Sequence, residues 1–441
     1  MEKAFEVSKV ISKFSNKKIV IPGDKSLSIR WVLLSSLANG NSKAYNLLRS
    51  EDVRAAIEAV RKLGIKVILK SNECKIFGKG IDGYRYKKNT IIDAKNSGTL
   101  GRLLLGLIIN TQNKIKLIGD NSLSKRDFRR ITDPLSKFGA KFKLRKKNFL
   151  PLTITGTNKS KPITYFENKG SAQCKSSVIF AGFRTSGQTI IKAKKSRDHT
   201  ELLCKYLKLP IKVIKGKNID IIKVKKINYI PSLNYNIPSD ISSAAFFIVL
   251  TVLTANSSLV LKNVNINPSR VGIITILKKM GAKINLRNIK TYKGEKIADI
   301  SVYGSIDKLK KINCPSKFNS GAIDEFLLIF LVAAKAKGIS KFKDLNELNQ
   351  KESPRLVWGE KILNKIGIKT ELKNNTLKIY GNPNVVVDRK ITIKNFLKDH
   401  RVFMTSVIAA KCFGGKWFIY DKDSINTSFP NFLKLIKKLE K

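Results

Sequence analysis

Pro22-Gly23-Asp24-Lys25-Ser26-Leu27-Ser28-Ile29-Arg30 is the stretch from which the rest of the chain can be read. A β-branched run, Lys17-Lys18-Ile19-Val20-Ile21, leads into it, and an apolar stretch with helical spacing, Trp31 to Leu37, follows. That order predicts a strand, a turn at Pro22-Gly23 and a helix beginning near Lys25. The first N–H groups of a helix have no partner within it and carry partial positive charge. Lys25, Ser26 and Arg30 add two cations and a hydroxyl at that end. Together they describe an anion site, most simply one for phosphate. The GxxxxGK[ST] spacing is absent, so the stretch is not a P-loop. Taken alone, it would equally describe a capped surface helix carrying basic residues.

The pattern recurs along the chain. An amphipathic helix, a tight turn and a β-rich run meet at Lys62-Leu63-Gly64-Ile65-Lys66, Lys137-Phe138-Gly139-Ala140-Lys141, Lys208-Leu209-Pro210-Ile211-Lys212, Lys279-Met280-Gly281-Ala282-Lys283 and Lys365-Ile366-Gly367-Ile368-Lys369. A sixth helix is expected from Phe429 to Lys441. Six repeats of about 73 residues therefore fill the chain, a period that points to repeated supersecondary units. Each repeat opens on a polar cluster: Asp24-Lys25-Ser26, Asn96-Ser97-Gly98-Thr99, Ser171-Ala172-Gln173, Ser239-Asp240-Ile241-Ser242, Asp324-Glu325 and Asp399-His400-Arg401. A second cluster opens the second helix of each repeat, as in Ser50-Glu51-Asp52, Ser196-Arg197-Asp198 and Lys351-Glu352-Ser353-Pro354-Arg355. Helix capping explains Ser, Asp and Asn at such places. It does not explain Arg102, Arg126, Arg197, Arg355 and Arg401, because cations oppose the dipole at a helix start. Bound anions do. The coarse pattern is a βαβαββ unit repeated six times, three per lobe. Residues 22–238 make the first lobe, and 1–21 with 239–441 make the second.

Composition bounds the answer further. The 441 residues suffice for two domains with large cores, and 42% of them are hydrophobic. No uncharged apolar run reaches the roughly 18 residues of a membrane span, and the N-terminus lacks a signal-peptide core. A cytoplasmic location is the expectation. The five cysteines are scattered, and there are two histidines, which argues against a zinc or disulfide framework. Lys and Arg number 86 against 32 Asp and Glu, a net charge of +54. The lysines are spread along the whole chain, as on a solvated surface. Attraction of small anionic substrates and nucleic-acid binding are the alternatives.

At these clusters the sequence resembles the enolpyruvyl transferases of the EPSP synthase family. PGDKSxSxR, NSGTxxR, SAQxKS, SRDHTE, SDISSAAFF, IDEF, KESxR, DHR and TSFP occur in the family's order, from Pro22 to Pro430. The resemblance implies a two-lobed inside-out α/β barrel, each lobe holding three βαβαββ repeats. It also implies transfer of the enolpyruvyl group of phosphoenolpyruvate to the 5-hydroxyl of shikimate 3-phosphate, with release of phosphate. This is a step of the shikimate pathway, toward chorismate and the aromatic amino acids. Catalytic roles would fall to Lys25, Asp324 and Glu352. Shikimate 3-phosphate would meet Lys25, Ser26, Arg30, Ser171, Ala172 through its backbone, Gln173, Ser196, Asp324 and Lys351. Phosphoenolpyruvate would meet Lys25, Asn96, Gly98, Arg126, Gln173, Arg355 and Arg401. Planar guanidinium forks match carboxylate and phosphate, and a side chain at Gly98 would crowd that pocket. No metal or organic cofactor is implied, and a monomer is expected. As an isolated residue Asp324 reads as a helix cap; its motif position makes it the candidate base.

Several positions depart from the family pattern. Ile29 stands where many members have His or Asn, Lys95 replaces a common Gly, and Asp127 a usual Pro. Ser239 replaces Gly, Asn349 an Arg, Pro354 an Asp, and Thr427 a Lys of some members. The sister transferase acting on UDP-N-acetylglucosamine shares fold and donor, but the DKS, SRDHTE and KES motifs favour the shikimate enzyme. The two sets of anion-binding residues are divided between the lobes, so ligand is expected to draw the lobes together.

Overall fold

The computed structural model describes residues 3–111 and 113–440. The chain forms two compact lobes. The first comprises Gly23–Ile237 with Thr291–Glu295; the second comprises Met1–Pro22, Pro238–Lys290 and Lys296–Lys441. In the first lobe the helices come in pairs: α1 (Lys25–Ser36) and α2 (Glu51–Lys62), α3 (Gly98–Leu107) and α4 (Arg129–Ser136), α5 (Ala172–Phe183) and α6 (His199–Tyr206). The second carries α7 (Ile241–Val252) and α8 (Gly272–Lys279), a short α9 (Asn319–Ala322), α10 (Phe326–Lys335) and α11 (Arg355–Ile366), then α12 (His400–Phe413) and α13 (Phe432–Leu439).

Among the described residues six sheets accompany them, three in each lobe. The second repeat shows the common plan. Thr90–Asp93 runs parallel to Ile115–Ile118, which pairs antiparallel with Phe149–Thr155, and Lys141–Arg145 closes the other edge antiparallel. Two edge strands do not pair within the repeat that they precede. Lys17–Ile19, just before α1, pairs parallel with Ser258–Asn265 of the second lobe. Tyr235–Asn236, just before α7, pairs parallel with Asn39–Tyr45 of the first. The sixth sheet has three strands, and Phe5–Val7 pairs antiparallel with Gly414–Ile419 where the other sheets place a hairpin strand. The N-terminal segment thus completes second-lobe sheets twice.

The first helix of a repeat is apolar almost all round. Residues Leu27–Ser36 of α1, all of α7 and all of α10 are buried. A helix without a wet face belongs inside a core. Second helices such as α2 and α13 are amphipathic and keep Lys, Arg or Glu exposed. Helices therefore fill the centre of each lobe, and sheets such as Lys141–Arg145 keep alternate residues in solvent. The two hydrophobic cores are separate, one per lobe.

The repeated turns have a backbone reason. Gly64, Gly139, Gly281 and Gly367 have φ of 86°, 109°, 95° and 94°, a region that costs L side chains about 1–2 kcal/mol. Pro210 cannot adopt it, and in that repeat the left-handed residue is Lys208 instead, at φ 54°. The last helix is shorter than expected. It runs Phe432–Leu439 because Pro430 and Asn431 precede its first turn, and Phe429 packs edge-on against Phe247 at 6.1 Å. Lys441 lies outside the described residues.

Candidate active site

The opening motif folds as its residues dictate. Asp24 is buried and caps α1, its Oδ1 accepting from Leu27 N at 2.9 Å. Lys25 follows at the first helical position and pairs with Asp52 on α2, Nζ to Oδ2 2.9 Å. Arg30 lies one turn on and is 3% exposed. Its Nε donates to Thr200 Oγ1 at 2.7 Å, its Nη1 to Ser26 O at 3.1 Å and its Nη2 to Ser176 Oγ at 3.2 Å. Lys175 pairs with Glu201 at 2.6 Å, both buried. PGDKSxSxR, SAQxKS and SRDHTE are therefore one buried hydrogen-bonded network. The same network makes Arg30 a support for Ser26 as well as a candidate contact. Ile29 is wholly buried in the core and offers no polar contact.

Ser171 caps α5, its Oγ accepting from Cys174 N at 3.3 Å, while Glu167 accepts from the backbone N–H of Lys169 and Ser171. Ala172 and Gln173 begin that helix half-buried. Gln173 donates to Thr99 Oγ1 at 2.9 Å and accepts from Arg102. Ser196 Oγ is buried and has no hydrogen-bond partner among the described residues. A hydroxyl so placed is costly unless something binds it.

NSGTxxR gathers a second cluster of candidate residues in the first lobe. Ser97 caps α3, and a Cβ placed on Gly98 would lie 3.3 Å from Arg126 Nη1 and 3.4 Å from Arg102 Nη1. Two guanidinium groups thus converge on a helix N-terminus, where glycine leaves room. Arg126 donates to Asn96 Oδ1 at 3.2 Å, and Asn96 donates to Asp120 at 2.6 Å. Arg102 also lies over the Phe128 ring at 5.6 Å. If Gly98 lines the phosphoenolpyruvate pocket that the resemblance implies, Gly98→Ala raises the KM for that substrate about tenfold through this crowding, with shikimate 3-phosphate affinity unchanged. Steady-state kinetics with a separate equilibrium titration will check it.

Lys95 precedes this motif at φ 51°, which explains why glycine suits the position. Its N–H reaches Asp93 Oδ1 at 2.8 Å, fixing the turn. Lys95→Gly is expected to raise unfolding free energy by up to about 1 kcal/mol, read from urea denaturation. Asp127, in place of proline, accepts from Arg129 N at 2.7 Å and pins the start of α4.

In the second lobe the candidates gather on one side chain. Arg355 begins α11, is 2% exposed, and directs each nitrogen at a carboxylate. Nε donates to Asp399 Oδ2 at 2.9 Å, Nη1 to Asp324 Oδ1 at 3.2 Å, and Nη2 to Glu352 and to Asp399 Oδ1 at 3.2 Å. Asp324 also meets Lys351 Nζ at 3.3 Å. Asp399 is buried, and burial pushes its carboxyl up while the Arg355 guanidinium holds it below the usual carboxylate range. The side chains of Asp324 and Glu352 remain 14% and 19% exposed. Asp324 does not cap a helix; Glu325 takes the cap position of α10. Arg401 Nη1 donates to Asp324 O at 2.8 Å, and its backbone N–H to Asp399 Oδ1 at 2.9 Å.

The remaining departures have structural uses. Asn349 Oδ1 accepts from Leu356 N at 3.0 Å and so caps α11, whose cap position is held by Pro354. Ser239 Oγ donates to Ile21 O at 2.8 Å, and Thr427 Oγ1 lies 3.2 Å from His400 Nδ1. His199 is buried against Glu295 at 2.7 Å. The sequence offers Asp52 and Asp399 only as members of polar clusters, and Arg102 only as one of the helix-start arginines that bound anions would explain. Their signal was an acidic or basic residue beside a motif cation, legible as a partner only once the helix starts are brought together.

The family model described as EPSP synthase (3-phosphoshikimate 1-carboxyvinyltransferase) matches residues 11–436. The chain is 37% identical over 423 residues to a 3-phosphoshikimate 1-carboxyvinyltransferase of Caldicellulosiruptor bescii, covering 96% of each. It is similar in structure to an EPSP synthase of Acinetobacter baumannii, with TM-score 0.87, 33% identity and coverage of 99% and 98%. The enolpyruvyl transferase NikO of Streptomyces tendae shares the fold at TM-score 0.77 and 14% identity, with coverage of 99% and 97%. Motif order, repeat architecture and full-length similarity agree: the chain belongs to the EPSP synthase family.

Proposed function

We propose that the chain transfers the enolpyruvyl group of phosphoenolpyruvate to the 5-hydroxyl of shikimate 3-phosphate and releases phosphate. Family membership carries the reaction; the observation that carries the residue roles is the sharing of one buried guanidinium, Arg355, by Asp324 and Glu352. Shikimate 3-phosphate is assigned to Lys25, Ser26, Arg30, Ser171, Ala172, Gln173, Ser196, Asp324 and Lys351. Phosphoenolpyruvate is assigned to Lys25, Asn96, Gly98, Arg126, Gln173, Arg355 and Arg401. Asp324 takes the proton of the 5-hydroxyl as its oxygen attacks C2. C3 gains a proton, and the tetrahedral adduct then loses a proton and phosphate. Groups that give a proton and later take one are needed, and Glu352 and Lys25 fill that role while Lys25 offsets phosphate charge. Arg355 also holds the carboxylates in place, since its nitrogens face Asp399, Asp324 and Glu352. Ser196 supports the phosphate assignment through its buried hydroxyl.

The chain is read as a cytoplasmic monomer. No helix among the described residues is long and apolar enough to cross a membrane. The test is phosphate release from phosphoenolpyruvate with each acceptor. Release with shikimate 3-phosphate and not with UDP-N-acetylglucosamine is expected; the reverse would overturn the reading.

A further inference from the structure

A line of buried polar groups in the second lobe ends on Arg401. Arg270 is 2% exposed, and its Nη2 donates to Asp240 Oδ1 at 3.1 Å and to Ser242 Oγ at 2.7 Å. Arginine has no acceptor, so Ser242 receives that bond and its single proton goes onward. It goes to Glu325, whose Oε1 accepts from Ser242 Oγ. Glu325 is 1% exposed, and the same Oε1 lies 3.8 Å from Arg401 Nη1. Three helix starts contribute: α7 gives Ser242, α10 gives Glu325 and α12 gives Arg401.

A carboxylate this deeply buried is strongly unfavourable unless hydrogen bonds and a cation surround it. Here the hydroxyl behind it and the guanidinium ahead of it do so. The direction of the line fixes one end of Arg401. Its Nη1 faces Glu325 and the Asp324 carbonyl, while Nε and Nη2 have no partner among the described residues. Those two donors form the side of the guanidinium that grips a planar anion bidentately.

We infer that Glu325 is a positioning residue: through Arg401 it sets recognition of the carboxylate or phosphate of phosphoenolpyruvate, with Ser242 and Arg270 holding Glu325. The inference rests on the assignment of Arg401 to that substrate. A rotated guanidinium would still carry charge but would present one donor instead of two, so donor affinity falls more than the rate of the bound complex.

The experiment compares Glu325→Gln, Glu325→Asp, Ser242→Ala and Arg401→Lys in steady-state kinetics, with equilibrium titration of shikimate 3-phosphate. Glu325→Gln keeps the size and an acceptor for Ser242 and removes the charge facing Arg401. Its KM for phosphoenolpyruvate is expected to rise about tenfold with kcat within about threefold, and shikimate 3-phosphate affinity is expected to stay unchanged. Glu325→Asp should recover part of the loss, which a packing defect would not. Ser242→Ala should move KM the same way by a smaller factor, and it serves if Glu325→Gln fails to fold. An unchanged KM in the folded variants, or a parallel fall in shikimate 3-phosphate affinity, overturns the inference. Arg401→Lys separates the two levels. If it raises KM and the Glu325 variants do not, only the positioning role fails; if it does not raise KM, the assignment of Arg401 fails and this inference falls with it.

Discussion

Asp324→Ala is expected to lower turnover at saturating substrates by roughly 10²–10⁴, the usual loss for a removed general base. Binding of shikimate 3-phosphate should weaken by at most about 3 kcal/mol, the value of a charge-assisted hydrogen bond. The contrast follows from the surroundings of Asp324. Its Oδ1 accepts from Arg355 and meets Lys351, and it caps no helix. Truncation leaves Arg355 paired with Asp399 and Glu352, so the buried guanidinium keeps ion-pair partners. Single-turnover kinetics and a separate titration of shikimate 3-phosphate make the measurement. Near-normal turnover in a folded variant would remove Asp324 from the role of base.

Arg355→Met should act on stability as strongly as Asp324→Ala acts on rate. Removing one partner of a buried ion pair costs about 3–5 kcal/mol, and here Asp399 would be left buried with Ser353 and the Arg401 N–H. The pH dependence carries a sign that identifies the cause. Burial raises the Asp399 carboxyl and Arg355 lowers it further than that, for a net depression. A carboxyl depressed on folding contributes stability above its unfolded pKa of about 3.9, and that contribution is lost as pH falls through the folded value. Without Arg355 the balance reverses: burial raises the folded value, and the variant loses stability as pH rises above about 4. Urea unfolding should therefore show stability falling from pH 4 to 7 in the variant, while the Asp399 contribution in the parent stays nearly constant there and is lost below about pH 4. A second change, Asp399→Leu, should return part of the loss. A variant within about 1 kcal/mol of the parent at pH 7 would contradict the account.

Much of this was legible in the chain because the repeat writes itself in turns. Gly64, Gly139, Gly281 and Gly367 mark left-handed residues, and a residue that only glycine adopts cheaply leaves a readable mark. The helix starts were legible for the same kind of reason, since Asp24, Ser97, Ser171, Asp240 and Asp399 all cap through their side chains. Pairings across the sequence were not. Arg30 with Thr200, Lys25 with Asp52 and Arg355 with Asp399 join residues that no local pattern links. Arg355 was expected to present a fork to substrate, and its type permits that. That its nitrogens also face Asp399, Asp324 and Glu352 could not be read there, because neighbours are a property of the packed lobe. The residues 291–295 were likewise unremarkable in sequence, yet they belong to the first lobe, with Glu295 against His199.

The exchanged edge strands have a consequence for how the chain is made. Synthesis delivers Lys17–Ile19 long before Ser258–Asn265, and Phe5–Val7 long before Gly414–Ile419. Even the bond from Phe14 N to Ser257 Oγ spans 243 residues. The strands and helices between Gly23 and Ile237 can pair among themselves as soon as they emerge, because Tyr235–Asn236 closes their last sheet edge. On the ribosome Phe5–Val7 and Lys17–Ile19 are therefore ordered later than the lobe whose residues follow them. The segment that carries these strands waits unpaired until Ser258–Asn265 and Gly414–Ile419 are made, and contacts of such long sequence separation form slowly. Its Lys3, Lys9, Lys13, Lys17 and Lys18 are the kind of residue that keeps a waiting strand from pairing with the wrong edge.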